Sequence, residues 1–201
     1  MPFVASSADY MLDQEGTNHA LFLSLHSAYS ATGANELAGG SPAYARLAAT
    51  WSSAGSNSKA LSNSPTFNVA SGSTVAYIGI WDAVTSGNFR GMFPNAAGAV
   101  AYAFAAPSAT STLLAPGTSY ASNQSVAVFP AAGSSLPSGL TAGVIYFAKS
   151  PSGDSFQLSA TSGGTAISLS ADGAGIIQAV TTEVFGSQGT FQVSSGSLVI
   201  I

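Results

Sequence analysis

The sequence predicts a mainly all-β protein: two small β-sandwich or barrel-like domains with one short N-terminal helix. Short apolar runs alternate at a period of two, the signature of half-buried strands. Clusters of Gly, Ser, Asn and Asp separate these runs at short, regular spacing, as in small barrels and sandwiches. Helix start and stop signals occur together only near the N-terminus. With 201 residues, 46% of them hydrophobic, either domain can bury a real core. The expected boundaries are 1–118 for a docking or oligomerising N-terminal β module and 119–201 for a smaller C-terminal β domain.

The helix is predicted over Ala8 to Glu15, with Ser7 as N-cap and Gly16 as the C′ stop. Asp9 suits the positive end of its dipole, and Tyr10 and Met11 are expected to pack against the next segment of the chain. Ala20 to His26 then alternates, with Leu21, Leu23 and Leu25 on one face and Phe22, Ser24 and His26 on the other. After a Gly-rich loop from Thr32 to Ser41, strands are expected over 43–51, 59–69, 75–84 and 88–93. Thr85-Ser86-Gly87 connects the last two as a tight hairpin. Both faces of 75–84 are apolar, which predicts a central strand.

The longest apolar run, Ala96 to Ala106, is broken by Gly98 and ended by Pro107. It is far shorter than the roughly 20 residues a spanning helix needs, so it reads as a core or interface strand. From Asn95 to Tyr120 a further strand or two and then a linker are expected, ending around Ser122. Strands are then expected over 125–129, 144–149, 155–160, 166–169 and 175–180, with turns at Ser152-Gly153-Asp154, Gly163-Gly164 and Asp172-Gly173. Thr190 to Val193 and Ser197 to Ile201, around Ser195-Gly196, would form a closing hairpin.

Charge is scarce. Only 6% of residues are charged, the net charge is -4 and the mean hydropathy is +0.34, whereas globular domains run near a quarter charged. Disorder needs the opposite balance. Four basic residues against eight acidic ones give no electrostatic footprint for nucleic acid or anionic lipid. A surface so poor in charge resists self-association weakly, so the chain reads as one built to assemble. The uncharged stretches Ala96 to Ala106 and Leu198 to Ile201 are the expected contact surfaces. The absence of cysteine excludes disulfides and thiolate metal sites. The N-terminus has no basic region of the secretory kind, which predicts assembly in the cytoplasm and no membrane insertion.

No catalytic or metal constellation emerges. The acids at Asp9, Asp13, Glu15, Glu36, Asp82, Asp154, Asp172 and Glu183 are scattered over caps and turns. Asp82 is expected to pair with Arg90 across a hairpin. His19 and His26 are spaced unlike metal ligands. Nucleophilic catalysis would need a serine beside one of these two histidines, and no GxSxG, P-loop or GxGxxG motif is present. The expectation is therefore no catalytic residue, metal or cofactor. Aromatics at Tyr44, Trp51, Tyr77, Trp81, Tyr102, Tyr120 and Tyr146 fit either a core or a sugar-stacking platform. Tyr44, Trp51, Trp81, Tyr120 and Tyr146 are the candidate ligand contacts.

Two passages carry a resemblance. Thr32-Gly-Ala-Asn-Glu-Leu-Ala-Gly-Gly-Ser-Pro-Ala-Tyr-Ala-Arg46, Thr50-Trp51, and the run from Phe67 to Trp81 and on to Gly87-Asn-Phe-Arg-Gly91 resemble a module of tailed-bacteriophage structural proteins. In that module a "TGANEV-GGSPAYAR" segment precedes such strands. Leu136 to Gly143, Tyr146, Ser155 to Ser159, Gly163-Gly164 and Gly173-Ala-Gly175 are similar to a short β unit of phage tail and fibre-like proteins. The resemblance covers roughly residues 17 to 180. It implies a non-enzymatic virion component, tail-associated as a minor tail or fibre-like protein. Its implied partners are other virion proteins. The charge-poor composition adds copies of the chain itself, a trimer favoured because threefold symmetry is a common closed solution, and a host-surface glycan is a further candidate partner. A capsid decoration or head-fibre protein and a carbohydrate-binding receptor-recognition module are the alternatives.

Overall fold

A computed structural model describes residues 5–15, 19–96, 100–107 and 110–199. It divides into two units: Met1–Gly98 together with Thr182–Ile201, and Ala99–Thr181. The division differs from the expected one at 118, because two strands before that point belong to the second unit and the last strands return to the first.

The first unit opens with α1 (Ala5–Gln14). Ser7 lies inside this helix rather than capping it, and the expected stop at Gly16 falls outside the described residues. Ala8 and Leu12 face inward, whereas Tyr10 and Met11 are exposed, contrary to expectation. One turn apart on the helix, Asp9 and Asp13 accept the backbone N–H groups of Asn57 (2.8 Å) and Ala54 (3.0 Å). The Lys59 ammonium donates to Asp13 (3.0 Å) and to the carbonyls of Leu12 and Glu15. It thereby satisfies carbonyls that a helix end leaves open. The Ala54 N–H bond, with the Lys59 ammonium, holds the Asp13 carboxyl below the usual carboxylate range.

Strands β1 (Leu21–His26), β2 (Leu47–Ala49), β3 (Ser58–Ala60), β4 (Thr66–Val69), β5 (Thr74–Val75), β6 (Tyr77–Trp81) and β7 (Phe89–Pro94) follow. β2, β1, β6 and β7 form one antiparallel sheet in that order. The predicted central position of the 75–84 segment is borne out, with β6 between β1 and β7. Leu21, Leu23 and Leu25 are buried as predicted, but Ser24 and His26 on the opposite face are buried too. The expected strand over 59–69 is two strands, β3 and β4. Only 47–49 of the expected 43–51 strand is extended, after a turn that contains a cis Ser41–Pro42 bond.

The expected closing hairpin does not form. β14 (Glu183–Val184), β15 (Gly189–Gln192) and β16 (Ser197–Val199) pair with β5, β4 and β3 respectively, over 100 residues back in the chain. Phe191 of β15, with Phe185 and Val193 just after β14 and β15, joins Leu23, Leu25, Val69 and Ile78 in one core. Residues 200 and 201 of the expected terminal strand lie outside the described residues.

The second unit is a closed six-stranded barrel built from β8 (Tyr102–Ala106), β9 (Thr112–Leu114), β10 (Ser125–Pro130), β11 (Ile145–Ser152), β12 (Ser155–Ser159) and β13 (Gly173–Ala179). Its strand order is β10-β11-β12-β9-β8-β13. Alternate residues point inward and fill the lumen: Val126 and Val128, Tyr146 and Ala148, Phe156 and Leu158. β8 and β9 are the further strands expected before the linker that ends near Ser122, and 166–169 contributes only a single bridge, Ala166 to Ser159. Predicted barrel-like β architecture is thus borne out, with a single short helix among the described residues.

Candidate functional site

The segment that carries the first resemblance folds as a loop clamped onto the β1–β6 sheet. Left-handed backbone at Gly33 (φ 80°) and Asn35 (φ 63°) turns the chain. A side chain on Gly33 would run into the rings of Trp81 and Phe89, so only glycine fits there. The turn delivers Glu36 to Arg46. Arg46 Nε lies 2.9 Å from Glu36 Oε1, and Arg46 Nη2 lies 2.7 Å from Oε2, a two-pronged charge-assisted pair. Arg46 Nη1 donates to the carbonyls of Ser86 (2.7 Å) and Ala83 (3.3 Å), and the guanidinium carbon sits 3.5 Å from the Trp81 ring centre. One side chain therefore ties the loop to the β6–β7 turn.

Tyr44 completes the tie. Its hydroxyl accepts the Leu25 N–H (2.8 Å) and donates to Glu36 (3.2 Å), while its ring stacks on Phe67. Burial pushes this hydroxyl well above the usual phenol range. Gln188, from the returning C-terminal segment, accepts the Ser41 N–H and donates to the Pro42 carbonyl.

Beneath the clamp runs a buried relay. His26 Nδ1 lies 2.8 Å from the Ala34 carbonyl, a pure acceptor, so Nδ1 carries a proton. The Trp81 indole N–H donates to Ser24 Oγ (3.0 Å), and the same oxygen lies 2.7 Å from His26 Nε2. Burial lowers the His26 pKa, which favours the neutral ring with Nε2 accepting from the Ser24 hydroxyl. A serine hydroxyl on a histidine nitrogen is the pairing that nucleophilic catalysis needs. Here both residues are fully buried, and the serine is also occupied by Trp81. A side chain on Gly79 would collide with both partners, so the close approach of β6 depends on that glycine.

The five candidate ligand contacts do not make one platform. Tyr44 and Trp81 are half-buried within the clamp, and Trp51 is buried in the core of the first unit. Tyr120 and Tyr146 are buried in the barrel, Tyr120 edge-on to Phe156 and Tyr102. The Tyr146 hydroxyl accepts the Thr141 N–H (2.9 Å). The Tyr120 hydroxyl is buried without a hydrogen-bond partner, and burial pushes its pKa up to about 12. The rings of Trp51, Tyr120 and Tyr146 offer no open face to a sugar.

The expected Asp82–Arg90 pair is present at 3.2 Å. Asn88 binds both Asp82 oxygens and, with Arg90, holds that carboxyl below its usual range. An apolar cleft of about 530 Å³ opens in the first unit, lined by Met11, Leu12, Leu21, Ile80, Phe93 and Leu198 among others. Among the described residues no group of three or more His, Asp or Glu side chains is placed to hold a metal. No helix there is long and apolar enough to cross a membrane.

The polar residues of the signature segment are engaged in holding a loop to a sheet. Residues 15–97, under half of the chain, match the family of the podophage GP4 fiber I protein gp80. The resemblance to tailed-phage fibre and structural proteins is thereby borne out, and the matched segment contains the whole Glu36–Tyr44–Arg46–Trp81 clamp. No curated protein and no solved structure matches the chain.

Proposed function

We propose that the chain is a non-enzymatic, fibre-like component of a tailed-phage virion. It is associated with the tail and assembles with other virion proteins and with copies of itself through charge-poor β surfaces. One observation carries this reading: the segment similar to a fibre protein family is the segment whose polar residues are spent on internal bonds. Glu36, Arg46, Tyr44 and Trp81 stabilise a shape and hold no chemistry in reserve. The serine–histidine pair is sealed, which supports a role without catalysis. Threefold closure is the favoured assembly, since a closed symmetric ring protects sheet edges from further addition. The barrel is the unit available for contact with the host surface.

Immunogold labelling of purified particles tests the placement. Label on the tail is expected, label on the capsid transfers the protein to a head fibre, and unlabelled particles refute the virion role. Size-exclusion chromatography with light scattering tests self-assembly. A stable monomer at micromolar concentration refutes it.

A further inference from the structure

We infer that the barrel is an autonomously folding domain inserted between β7 and β14 of the fibre-like module, and that β14 to β16 complete that module after the insertion. The inference stands on the topology and holds whether or not the virion reading does.

In the accepting module, the two ends of the break lie beside one another. The Asn95 N–H bonds to the Ala76 carbonyl, where the chain leaves β7. Glu183 pairs with Val75, the adjacent residue, where the chain returns in β14. Neighbouring strands are about 4.8 Å apart, so the two ends lie within roughly 10 Å. The barrel has the matching property. Its entry strand β8 and exit strand β13 are antiparallel neighbours, with Tyr102 opposite Ile177. Paired residues of this kind sit about 5 Å apart. A unit with adjacent ends, joined to a break with adjacent ends, can be accommodated without displacing any strand of its host.

Each unit also has a core of its own. The barrel core is drawn entirely from 102–179, and the core of the other unit from 21–93 and 185–198. Val69, Ile78 and Phe191 belong to one core across the insertion, so the accepting core is incomplete until the chain has returned from the barrel. The family match ends at residue 97, at the junction with the barrel, and the returning strands β14 to β16 lie outside it. A module built in this way carries its barrel as an exchangeable element. Another compact domain with adjacent ends fits the same break.

Amide hydrogen exchange on full-length variants tests the inference. Leu158→Ala opens the barrel core, and Val69→Ala the other. Leu158→Ala is expected to accelerate exchange of the slowest amides in β10 to β13 at least ~30-fold. Those in β1, β4, β6 and β15 should stay within about twofold of wild type. Val69→Ala should do the converse. Both tryptophans, Trp51 and Trp81, belong to the first unit. The urea midpoint read by tryptophan fluorescence should therefore move for Val69→Ala and stay fixed for Leu158→Ala. A barrel that unfolds outright in Leu158→Ala while the other amides stay protected supports autonomy as well. If either variant accelerates both sets of amides by the same factor, the chain is one cooperative unit and the inference is overturned.

Discussion

Arg46→Ala removes the side chain that holds the signature loop to the sheet. The Arg46 side chain is 11% exposed and that of Glu36 is 20% exposed. Truncation leaves the Glu36 carboxylate largely buried, with the Tyr44 hydroxyl bonded to it, and takes a donor from the carbonyls of Ala83 and Ser86. Breaking a buried ion pair from one side costs about 3–5 kcal/mol, and the residual exposure here puts the value at the lower end. Loss of the cation–π contact with Trp81 adds roughly 0.5–1 kcal/mol. The expected destabilisation is about 3–4 kcal/mol, or roughly 10 °C in Tm.

Urea unfolding followed by tryptophan fluorescence measures it. The midpoint is the quantity to read, since the emission of Trp81 itself changes with the variant. Arg46→Lys keeps the charge but not the planar fork, so it should recover less than half of the loss. A double-mutant cycle with Glu36→Gln should give a coupling of at least ~1 kcal/mol. Arg90→Ala, which removes a half-exposed partner of Asp82, should cost far less than Arg46→Ala. Equal losses for the two arginines, or no coupling to Glu36, would refute the reasoning that the clamp stabilises the module.

Three further outcomes are expected from the same geometry. His26 is buried and neutral with a lowered pKa, so below about pH 6.5 the unfolded chain binds a proton that the fold rejects. Stability is therefore full above that pH and falls as pH drops toward 5; His26→Gln should flatten this slope in thermal melts, and a slope unchanged in the variant assigns it elsewhere. Gly79→Ala and Gly33→Ala should each cost about 1–3 kcal/mol through overpacking, with backbone strain added at Gly33. Gly72→Ala, at φ 80° with open space around it, should show the roughly 1 kcal/mol of backbone strain alone, and chemical unfolding ranks the three. In the barrel, Tyr146→Phe deprives the Thr141 N–H of its acceptor and should cost about 1 kcal/mol. Tyr120→Phe removes a hydroxyl that has no partner and should leave barrel amide exchange unchanged or slower, whereas faster exchange would reveal a bond to that hydroxyl.

Local patterning made β1, β6, β7 and the barrel strands β10 to β13 legible, because each reads as a short period-two run between turn residues. The hidden part is non-local. Thr190 to Val193 and Ser197 onward look like a hairpin, since Ser195-Gly196 is a good turn. Their pairing with β4 and β3 depends on partners more than 100 residues earlier, which no local pattern records. The same cause obscures the division into units, because the return of β14 to β16 to strands before the barrel leaves no local mark. Among the site residues, Asp82 with Arg90 was legible from hairpin register. The Ser24–His26 pair is expected once β1 is buried on both faces, a property its alternation of Leu with polar residues disguises. The aromatics were ambiguous for a definite reason. Alternate tyrosines and tryptophans satisfy a core and a platform equally, and only the closure of a barrel around Tyr120 and Tyr146 separates the two.

The scarcity of charge takes on a sharper meaning once each charge is located. The four basic residues are all engaged: Arg46 with Glu36, Lys59 with Asp13, Arg90 with Asp82, and Lys149 with the Gly164 carbonyl. Among the acids, Asp9 and Asp154 are also bonded to backbone N–H groups. Such charges act as internal fasteners, so the outer surface is poorer in free charge than composition alone indicates. The same placement explains how a chain with so few ions holds long irregular loops. Each of these ions is set where a backbone group, a helix end or an opposite charge would otherwise lack a partner, the position where a single charge contributes most. Arg46 on Glu36 and Lys59 on the end of α1 are the clearest cases, each closing a loop or a helix end from within.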